Sequence, residues 1–322
     1  MSFTDYLFMS LFVVVALLYY IIPKKIRWFY LLIVSVAFYC TWNADVLPYI
    51  LTAVTVAWIS GLLIERNYQK LQNHLDSKPD MSKEEKKVLQ SKAKKWCKCI
   101  LLVSAAVLIG MLVFGKAGKH ILKALDLSDV MTVVMPLGIS YYTMSLVGYM
   151  ADVYWKKEKA EKNILKLLLF AIYFPKILEG PISKHRLIAA QLNESCDFDY
   201  NTFCFGLQRM IWGYFKKLVI ADRLSLFITP VLAEYKYNHG AVLLLAFLFG
   251  VFQLYCDFSG CMDIALGASE TLGIKLEENF NHPFFSESAA EFWRRWHITL
   301  GAWFKDYIYM PLAISPRMMN IA

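Results

Sequence analysis

The chain has 322 residues, of which 58% are hydrophobic and only 19% are charged, and its mean hydropathy is +0.43. A soluble domain would carry about 25% charged residues, so this composition excludes an ordinary soluble protein. The formal net charge of +8 does not indicate nucleic-acid binding, because the lysines and arginines lie in short clusters between apolar runs. That arrangement is typical of a polytopic α-helical membrane protein with basic cytoplasmic loops.

Three other features of the sequence exclude further classes. The segments of about ten alternating residues that mark a membrane β-barrel do not occur. The seven cysteines are an odd number, and Cys97 and Cys99 have no second pair at zinc-ligand spacing, so we interpret the cysteines as free thiols. No basic residue precedes the first apolar run, so a cleavable signal peptide is not expected.

The first half of the chain predicts regular membrane-spanning helices. The apolar runs lie at residues 3–22, 28–41, 46–64, 100–114 and 130–150. Residues 65–99 form a predicted basic loop, with ten lysines or arginines against five acidic residues and a polar helix at 81–95. With the N-terminus outside, this loop and the basic clusters at 24–27 and 156–162 all fall on the cytoplasmic side of the cell membrane.

The second half has shorter apolar runs that are interrupted by proline and glycine. Residues 164–174 are followed by Pro175, Gly180 and Pro181, and later runs occupy 203–215, 224–232 and 241–255. Irregular backbone at membrane depth requires burial in protein or a wet cavity. We therefore predict an all-α, polytopic fold of tilted, broken and re-entrant helices, in which residues 1–322 form a single membrane domain.

The candidate site lies in residues 253–312, where ionisable and aromatic residues occur together. Ionisable side chains are costly within a membrane domain and usually mark a functional site. The candidate residues are His297, as the catalytic group, and Asp257, Ser259, Asn281, Trp293, Arg294, Arg295, Trp296, Lys305 and Asp306, as binding or supporting groups.

The local pattern around His297 predicts one helix. Ser288 and Glu291 form a capping box, so the helix should begin near Ala289, and Glu291 and Arg295 are spaced to form an ion pair. Trp293, His297, Leu300 or Gly301, and Phe304 would then share a face. A lone histidine on such a face is more often a satisfied core residue than a catalytic one, but the density of ionisable residues favours a functional role here.

The chemistry that suits this histidine is acyl transfer to a hydroxyl. A neutral imidazole can accept the hydroxyl proton during attack on a thioester, and Arg294, Arg295 and Lys305 could stabilise an anionic donor. The alternative of a cation held by Asp257 and Asp263 is less favoured, because six residues is a poor ligand spacing on a helix. The sequence lacks the G-x-S-x-G, H-E-x-x-H and Walker motifs, and we expect no bound metal and no tightly bound cofactor.

Several motifs together resemble the membrane-bound O-acyltransferase (MBOAT) family. D-F-S-G at 257–260 precedes E-F-W-R-R-W-H at 291–297. Three motifs earlier in the chain carry the same resemblance. They are P-L-G-I-S-Y-Y-T at 136–143, F-P at 174–175 followed by G-P-I at 180–182, and K-K at 216–217 followed by I-A-D-R at 220–223. The chain is most similar to the branch that contains the alginate O-acetylation membrane protein and the teichoic-acid D-alanyl transfer protein.

The resemblance implies a ring of tilted helices around a thin centre, where a cytoplasmic acyl thioester meets its acceptor. His297 matches the histidine of the family's W-R-R-W-H motif. A second histidine, usually held to be the essential catalytic one in such proteins, lies further on in a W-H-G type motif. That motif does not occur in this sequence, so the resemblance predicts a C-terminally truncated chain.

The same resemblance predicts a function and its alternatives. It implies transfer of acetyl, from a donor such as acetyl-CoA, towards hydroxyls of an exported alginate-type polysaccharide, with an extracytoplasmic SGNH-type acetyltransferase as partner. D-alanyl transfer to teichoic acid is the alternative within the class, and a non-catalytic scaffold or acyl conduit is the alternative outside it. A secondary transporter also uses broken helices, but no paired half-repeats occur in this sequence.

Overall fold

The computed structural model describes residues 5–42, 44–124, 135–194 and 196–314. Across these ranges the secondary structure is helical, with one isolated antiparallel bridge between Phe280 and Trp296. The α-helices are α1 (Tyr6–Ile21), α2 (Lys24–Trp42), α3 (Leu47–Ser77), α4 (Lys83–Ala124), α5 (Ile139–Tyr154), α6 (Ile164–Ile172), α7 (His185–Asn193), α8 (Tyr200–Tyr214), α9 (Asp222–Ala233), α10 (Ala241–Glu270), α11 (Ala289–Arg295), α12 (Ile298–Phe304) and α13 (Met310–Ala313). The predicted all-α fold is confirmed.

Short turns of tighter or wider helix connect some of these elements. Ala44–Val46 and Pro283–Phe285 are 3₁₀ turns, and Phe215–Ala221 and Lys305–Tyr309 are π-helical turns. A π-helical turn adds a residue to the helical repeat and is frequent at functional sites.

The chain divides into two compact units. The first consists of the described residues of Met1–Val34, Phe174–Ser183 and Gln191–Ala302, and the second of those of Ser35–Tyr173, Lys184–Ala190 and Trp303–Ala322. Each unit is built from segments that are distant in sequence. The prediction that the whole chain is one membrane domain stays a prediction.

Among the described residues, three helices are long and apolar enough to cross a membrane: Ala44–Ser77, Lys83–His120 and Ala241–Glu270. A helix of 30 residues, such as α10, is about 45 Å long and exceeds the roughly 30 Å of a bilayer's hydrocarbon core. Phe8–Ile21 is a shorter apolar helix. These helices agree with the predicted polytopic membrane fold.

Residues 65–99 are almost wholly helical and not the loop that the sequence predicts. α3 continues to Ser77 and α4 begins at Lys83, so a turn of only five residues separates them. Ser82 accepts a hydrogen bond from the backbone N–H of Glu85 and caps α4. The apolar helices extend into the basic region because lysine, glutamate and glutamine are strong helix formers.

The later elements follow the predicted pattern in part. α6 ends at Ile172, before Pro175, as the interrupted run at 164–174 predicts. α10 continues to Glu270 and is longer than the predicted run at 241–255, so the D-F-S-G motif lies within this helix. Residues 130–134 of the predicted span at 130–150 lie outside the described residues, and the helix there begins at Ile139.

Two pairs of glycines bring α8 and α10 into close contact in the first unit. A Cβ on Gly206 would lie 2.8 Å from the carbonyl oxygen of Gly267, and a Cβ on Gly213 would lie 2.7 Å from that of Gly260. Distances this short are not compatible with any larger side chain. Gly206 and Gly213 are seven residues apart on α8, and Gly260 and Gly267 are seven residues apart on α10. Both contacts therefore lie along one seam, as in small-residue seams of other membrane helices.

Candidate active site

The π-helical turn that follows α8 places two lysines against the D-F-S-G segment of α10. The Lys216 ammonium donates to the Ser259 hydroxyl at 3.0 Å and pairs with Asp263 at 2.5 Å. Lys217 pairs with Asp257, and with Asp222 at 3.0 Å. The Gly213–Gly260 contact allows this approach, because it brings the end of α8 directly against the motif.

Arg209 extends the same network. Its guanidinium donates to Asp263 at 3.0 Å and forms two hydrogen bonds to Glu278, at 2.7 and 2.6 Å. Asp263 thus pairs with both Arg209 and Lys216, and Asp257 pairs with Lys217. Within the described residues no group of three or more potential metal ligands occurs.

The helix that carries the candidate histidine is broken at that residue, so the prediction of one continuous helix is wrong. α11 ends at Arg295, Trp296 is extended, and His297 has a φ of +47° before α12 begins at Ile298. Trp293, His297 and Phe304 therefore do not share a helical face.

The physical reason for the break is pairing with residues 279–281. The backbone N–H of Asn281 donates to the carbonyl of Arg295 at 2.9 Å, and that of Ile298 donates to the carbonyl of Asn279 at 3.0 Å. These bonds and the bridge between Phe280 and Trp296 replace the helical bonds that a continuous helix would form.

The Asn279 side chain fixes the orientation of His297. Its Oδ1 atom accepts hydrogen bonds from the Thr299 backbone N–H at 3.0 Å and from the Thr299 hydroxyl at 2.9 Å, and lies 3.1 Å from Nδ1 of His297. Because a backbone N–H can only donate, the shared Asn279 atom is the oxygen. His297 must therefore carry its proton on Nδ1, which leaves the lone pair on Nε2.

His297 is neutral at physiological pH. It is partly buried, with its ring 5.0 Å from that of Phe258, and it lies outside the three long apolar helices. Burial disfavours the charged imidazolium and lowers the pKa of His297 from 6.5 to about 4. A neutral imidazole with a fixed tautomer is the form in which histidine accepts a proton.

The G-P-I motif contacts this arrangement as well. The backbone N–H of Ile182 donates to the Thr299 hydroxyl at 3.1 Å, and that hydroxyl itself donates to Asn279. Residues 182, 279, 297 and 299 thus form one hydrogen-bonded chain within the first unit. The D-F-S-G helix contributes Phe258 to the same region.

The other predicted site residues are either paired, packed on an aromatic ring or exposed. Arg295 pairs with Glu291 at 2.6 Å, and the Ser288 hydroxyl accepts from the Glu291 backbone N–H at 3.2 Å, so the predicted ion pair and cap are confirmed. Trp296 packs on Phe292, with ring centroids 5.5 Å apart. Trp293, Arg294 and Asn281 are exposed.

Lys305 and Asp306 belong to the second unit. Lys305 is exposed, and Asp306 pairs with Lys184. The structure thus brings Asp257, Ser259 and the two lysines together in one network and His297 into another, whereas it places Lys305 and Asp306 in a separate compact unit.

Sequence reasoning missed Asn279 and Arg209. Asn279 is fully buried, and its only signal in the sequence is an amide residue shortly before the W-R-R-W-H motif. Arg209 lies in the apolar, aromatic run at 203–215, where a single arginine is itself a signal of a buried partner.

Comparison of the sequence with known proteins identifies the family of this chain. The profile of MBOAT, the membrane-bound O-acyltransferase family, matches residues 83–321. The chain belongs to this family. The match includes the D-F-S-G and W-R-R-W-H motifs and the paired lysines, so the resemblance seen in the sequence is confirmed.

Individual members of the family are similar over different lengths. A probable alginate O-acetylase AlgI from Azotobacter vinelandii is 33% identical, over 97% of this chain and 60% of its own length. A peptidoglycan O-acetyltransferase from Helicobacter pylori is 27% identical, over 88% of this chain and 55% of its own. A teichoic acid D-alanyltransferase from Bacillus subtilis is 33% identical, over 54% of this chain and 45% of its own. The chain spans about 60% of the length of the first of these MBOAT proteins.

Proposed function

We propose that this MBOAT chain takes part in O-acyl transfer across the plasma membrane, with His297 as the general base. The observation that carries the proposal is the fixed, neutral imidazole, whose Nδ1 proton is held by Asn279 and whose Nε2 carries a lone pair. Support comes from the relatives named as O-acetylases, one of which is similar over nearly the whole chain.

The reaction is the attack of a hydroxyl on a thioester. Nε2 of His297 accepts the hydroxyl proton as the oxygen bonds to the carbonyl carbon, a contribution of about 10²–10⁴-fold in rate. The carbon–sulfur bond then breaks, and the leaving thiolate takes the proton back from the imidazolium. The products are an O-ester and a free thiol, and His297 is neutral again.

The donor that we propose is a cytoplasmic acetyl thioester such as acetyl-CoA, and the acceptor is a hydroxyl on the path to an exported polysaccharide. An extracytoplasmic SGNH-type acetyltransferase would complete the transfer. We also propose that the N-terminus lies outside and that the basic ends of α3 and α4 lie in the cytoplasm, because basic residues favour that side.

D-alanyl transfer to teichoic acid is the second candidate. A relative of that name shares 33% identity, although over only 54% of this chain. The two functions differ in the donor, since one needs acetyl-CoA and the other needs D-alanine on a carrier.

A test with radiolabelled donors separates these candidates. Inverted membrane vesicles from cells that express the gene are supplied with labelled acetyl-CoA or with labelled D-alanyl carrier protein, and label in polymer is counted. We expect label from acetyl-CoA that falls to background in the His297→Asn variant. Label from the D-alanyl carrier alone would establish the second candidate, and equal acetyl incorporation by His297→Asn would refute the role of His297.

A further inference from the structure

Outside the candidate site, residues 66–74 of α3 and 86–98 of α4 form a basic surface. They contain Arg66, Lys70 and His74 together with six lysines of α4, and no aspartate or glutamate, whereas Asp76, Glu84 and Glu85 lie nearer the connecting turn. The six lysines are Lys86, Lys87, Lys92, Lys94, Lys95 and Lys98. Among the ion pairs of the described residues, none involves these side chains. Their charge is therefore available to an external anion.

Between the two helices lies a groove of about 480 Å³. Its basic and polar sides are formed by Lys70, His74 and Lys92, and its apolar part by Leu71, Leu89 and Trp96. The Trp96 side chain is 61% exposed. A groove with ammonium groups beside an exposed indole suits a ligand that has both a negative and an apolar part.

The groove begins where both helices change from apolar to polar. At this level Asn67 of α3 donates to the carbonyl of Ala93 at 3.2 Å and contacts the buried Cys97 thiol at 3.1 Å. Beyond Cys97, the apolar run of α4 starts at Ile100. The contact aligns the polar boundaries of the two helices, so they reach the edge of the hydrocarbon core together.

The end of the groove nearest the membrane then lies at the depth of the lipid headgroups. Trp96 and Lys98 are four and two residues from Ile100, or about 6 Å and 3 Å along the helix axis. Lys92 is eight residues from Ile100, about 12 Å, and contacts this layer only through its long side chain. The headgroup layer on each side of a bilayer is about 5–7 Å thick. Tryptophan concentrates in this layer because its ring is amphipathic, which accounts for the exposure of Trp96.

We propose that this groove binds the phosphate headgroup of an anionic phospholipid from the surrounding bilayer. Lysines next to a membrane span attract anionic lipids over a short, salt-dependent range. The acyl chains of the lipid extend past Trp96 along the apolar part of α4. The binding does not depend on the acyl-transfer reaction or on His297.

The test is a fluorescence titration of the purified full chain in a neutral detergent. Dioctanoyl phosphatidylglycerol is the anionic probe and dioctanoyl phosphatidylcholine the zwitterionic one, and tryptophan emission reports binding. We expect saturable binding of phosphatidylglycerol that weakens in 0.5 M salt, little binding of phosphatidylcholine, and loss of the emission change in Trp96→Phe. This comparison uses the unaltered chain and so does not depend on the folding of any charge variant.

Charge variants locate the site. Lys70→Gln with Lys92→Gln should weaken phosphatidylglycerol binding about 25-fold, since each lysine near a membrane surface contributes about fivefold. Lys78→Gln with Lys83→Gln is the matched control, because it removes the same charge from the connecting turn and the start of α4, outside the groove and the basic surface, and it should weaken binding less than threefold. Equal binding of both lipids, an equal loss in the control, or displacement of the lipid by lower concentrations of coenzyme A would each overturn the proposal.

Discussion

Asn279 stabilises the region around His297 through one oxygen atom. That oxygen accepts from the Thr299 backbone, from the Thr299 hydroxyl and from the His297 ring, all at 2.9–3.1 Å. A buried N–H that loses its acceptor costs about 1–3 kcal/mol, and here two buried donors of Thr299 depend on the same atom.

We therefore expect Asn279→Ala to lower the free energy of unfolding by about 3 kcal/mol. The matched control is Asn281→Ala, because Asn281 is exposed and its side chain contacts only the neighbouring His282 among its described side-chain hydrogen bonds. That change should cost less than about 0.5 kcal/mol. Thermal unfolding of both variants in detergent measures the difference, and equal losses would contradict the role given to Asn279.

The lowered pKa of His297 makes a prediction about pH. Its folded-state pKa is about 4, below the ordinary 6.5, so the unfolded chain binds more protons between these values. The stabilising contribution is fully present above pH 6.5 and is lost as pH falls towards 4. At 1.36 kcal/mol per pKa unit the contribution is below about 3 kcal/mol, because solvent screens the partly exposed ring.

His297→Asn should flatten the pH dependence of stability between pH 6.5 and 4. Asparagine is a suitable replacement because it tolerates the left-handed φ of this position but does not titrate. The measurement is the melting temperature of both proteins from pH 4 to 8. An unchanged slope in the variant would show that other groups cause the pH dependence.

Local patterns at the residue scale predicted the site only in part. The Ser288 cap and the Glu291–Arg295 pair were predictable, because both depend on spacings of three or four residues. The break at His297 was not, because its cause is a partner segment 18 residues away. Helical periodicity cannot reveal a tertiary contact that replaces the helix's own hydrogen bonds.

At the scale of elements, the glycine seam between α8 and α10 determines where the lysines lie. Gly206→Ala would place a Cβ 2.6 Å from the Thr271 backbone nitrogen. We expect this change to destabilise the protein by about 1–3 kcal/mol, because two backbones would have to separate. It should also weaken the contacts of Lys216 and Lys217 with α10.

Gly250→Ala provides the control for the seam, since Gly250 lies on α10 with open space around its Cα. This change should be neutral, or stabilising by up to about 1 kcal/mol, because alanine is the better helix former. Thermal unfolding of the two variants compares them directly. A similar loss in both would mean that helix flexibility, and not the close approach, makes these glycines necessary.

The presence of the long helices was easier to predict from the sequence than the residues at which they begin and end. The existence of α3, α4, α6 and α10 followed from hydropathy, but the continuation of α3 and α4 through residues 65–99 did not. A polar helical extension has neither the apolar run of a span nor the glycine and proline of a loop. Hydropathy alone therefore placed the boundary at the membrane surface instead of at the turn.

At the scale of the whole molecule, the charge distribution predicts which side of the membrane each turn occupies. A protease site inserted in the turn between α3 and α4, at residues 78–82, should be cut in inverted vesicles and protected in right-side-out vesicles. The reason is the basic excess of this region, which favours the cytoplasm. Cleavage only in right-side-out vesicles would reverse the proposed topology.

Membership of the MBOAT family explains why the sequence carries so dense a set of polar residues in an apolar chain. The lysine–aspartate network of α10 and the asparagine–histidine pair lie in the same compact unit, and both lie within the residues that the family profile matches. The fold class and family were predictable because they depend on composition and on short motifs. The division into two units was not, since each unit assembles segments from distant parts of the chain.

The most direct test of the account is the acetyl-ester content of exported polysaccharide in cells with His297→Asn at the gene's own locus. His239→Asn at the same locus is the control, because His239 is exposed and is not a candidate site residue. We predict that acetyl ester falls to the level of a gene deletion in His297→Asn and is unchanged in His239→Asn, with equal amounts of protein in the membrane. Acetyl ester at the unaltered level in His297→Asn cells would contradict the assignment of His297 as the general base.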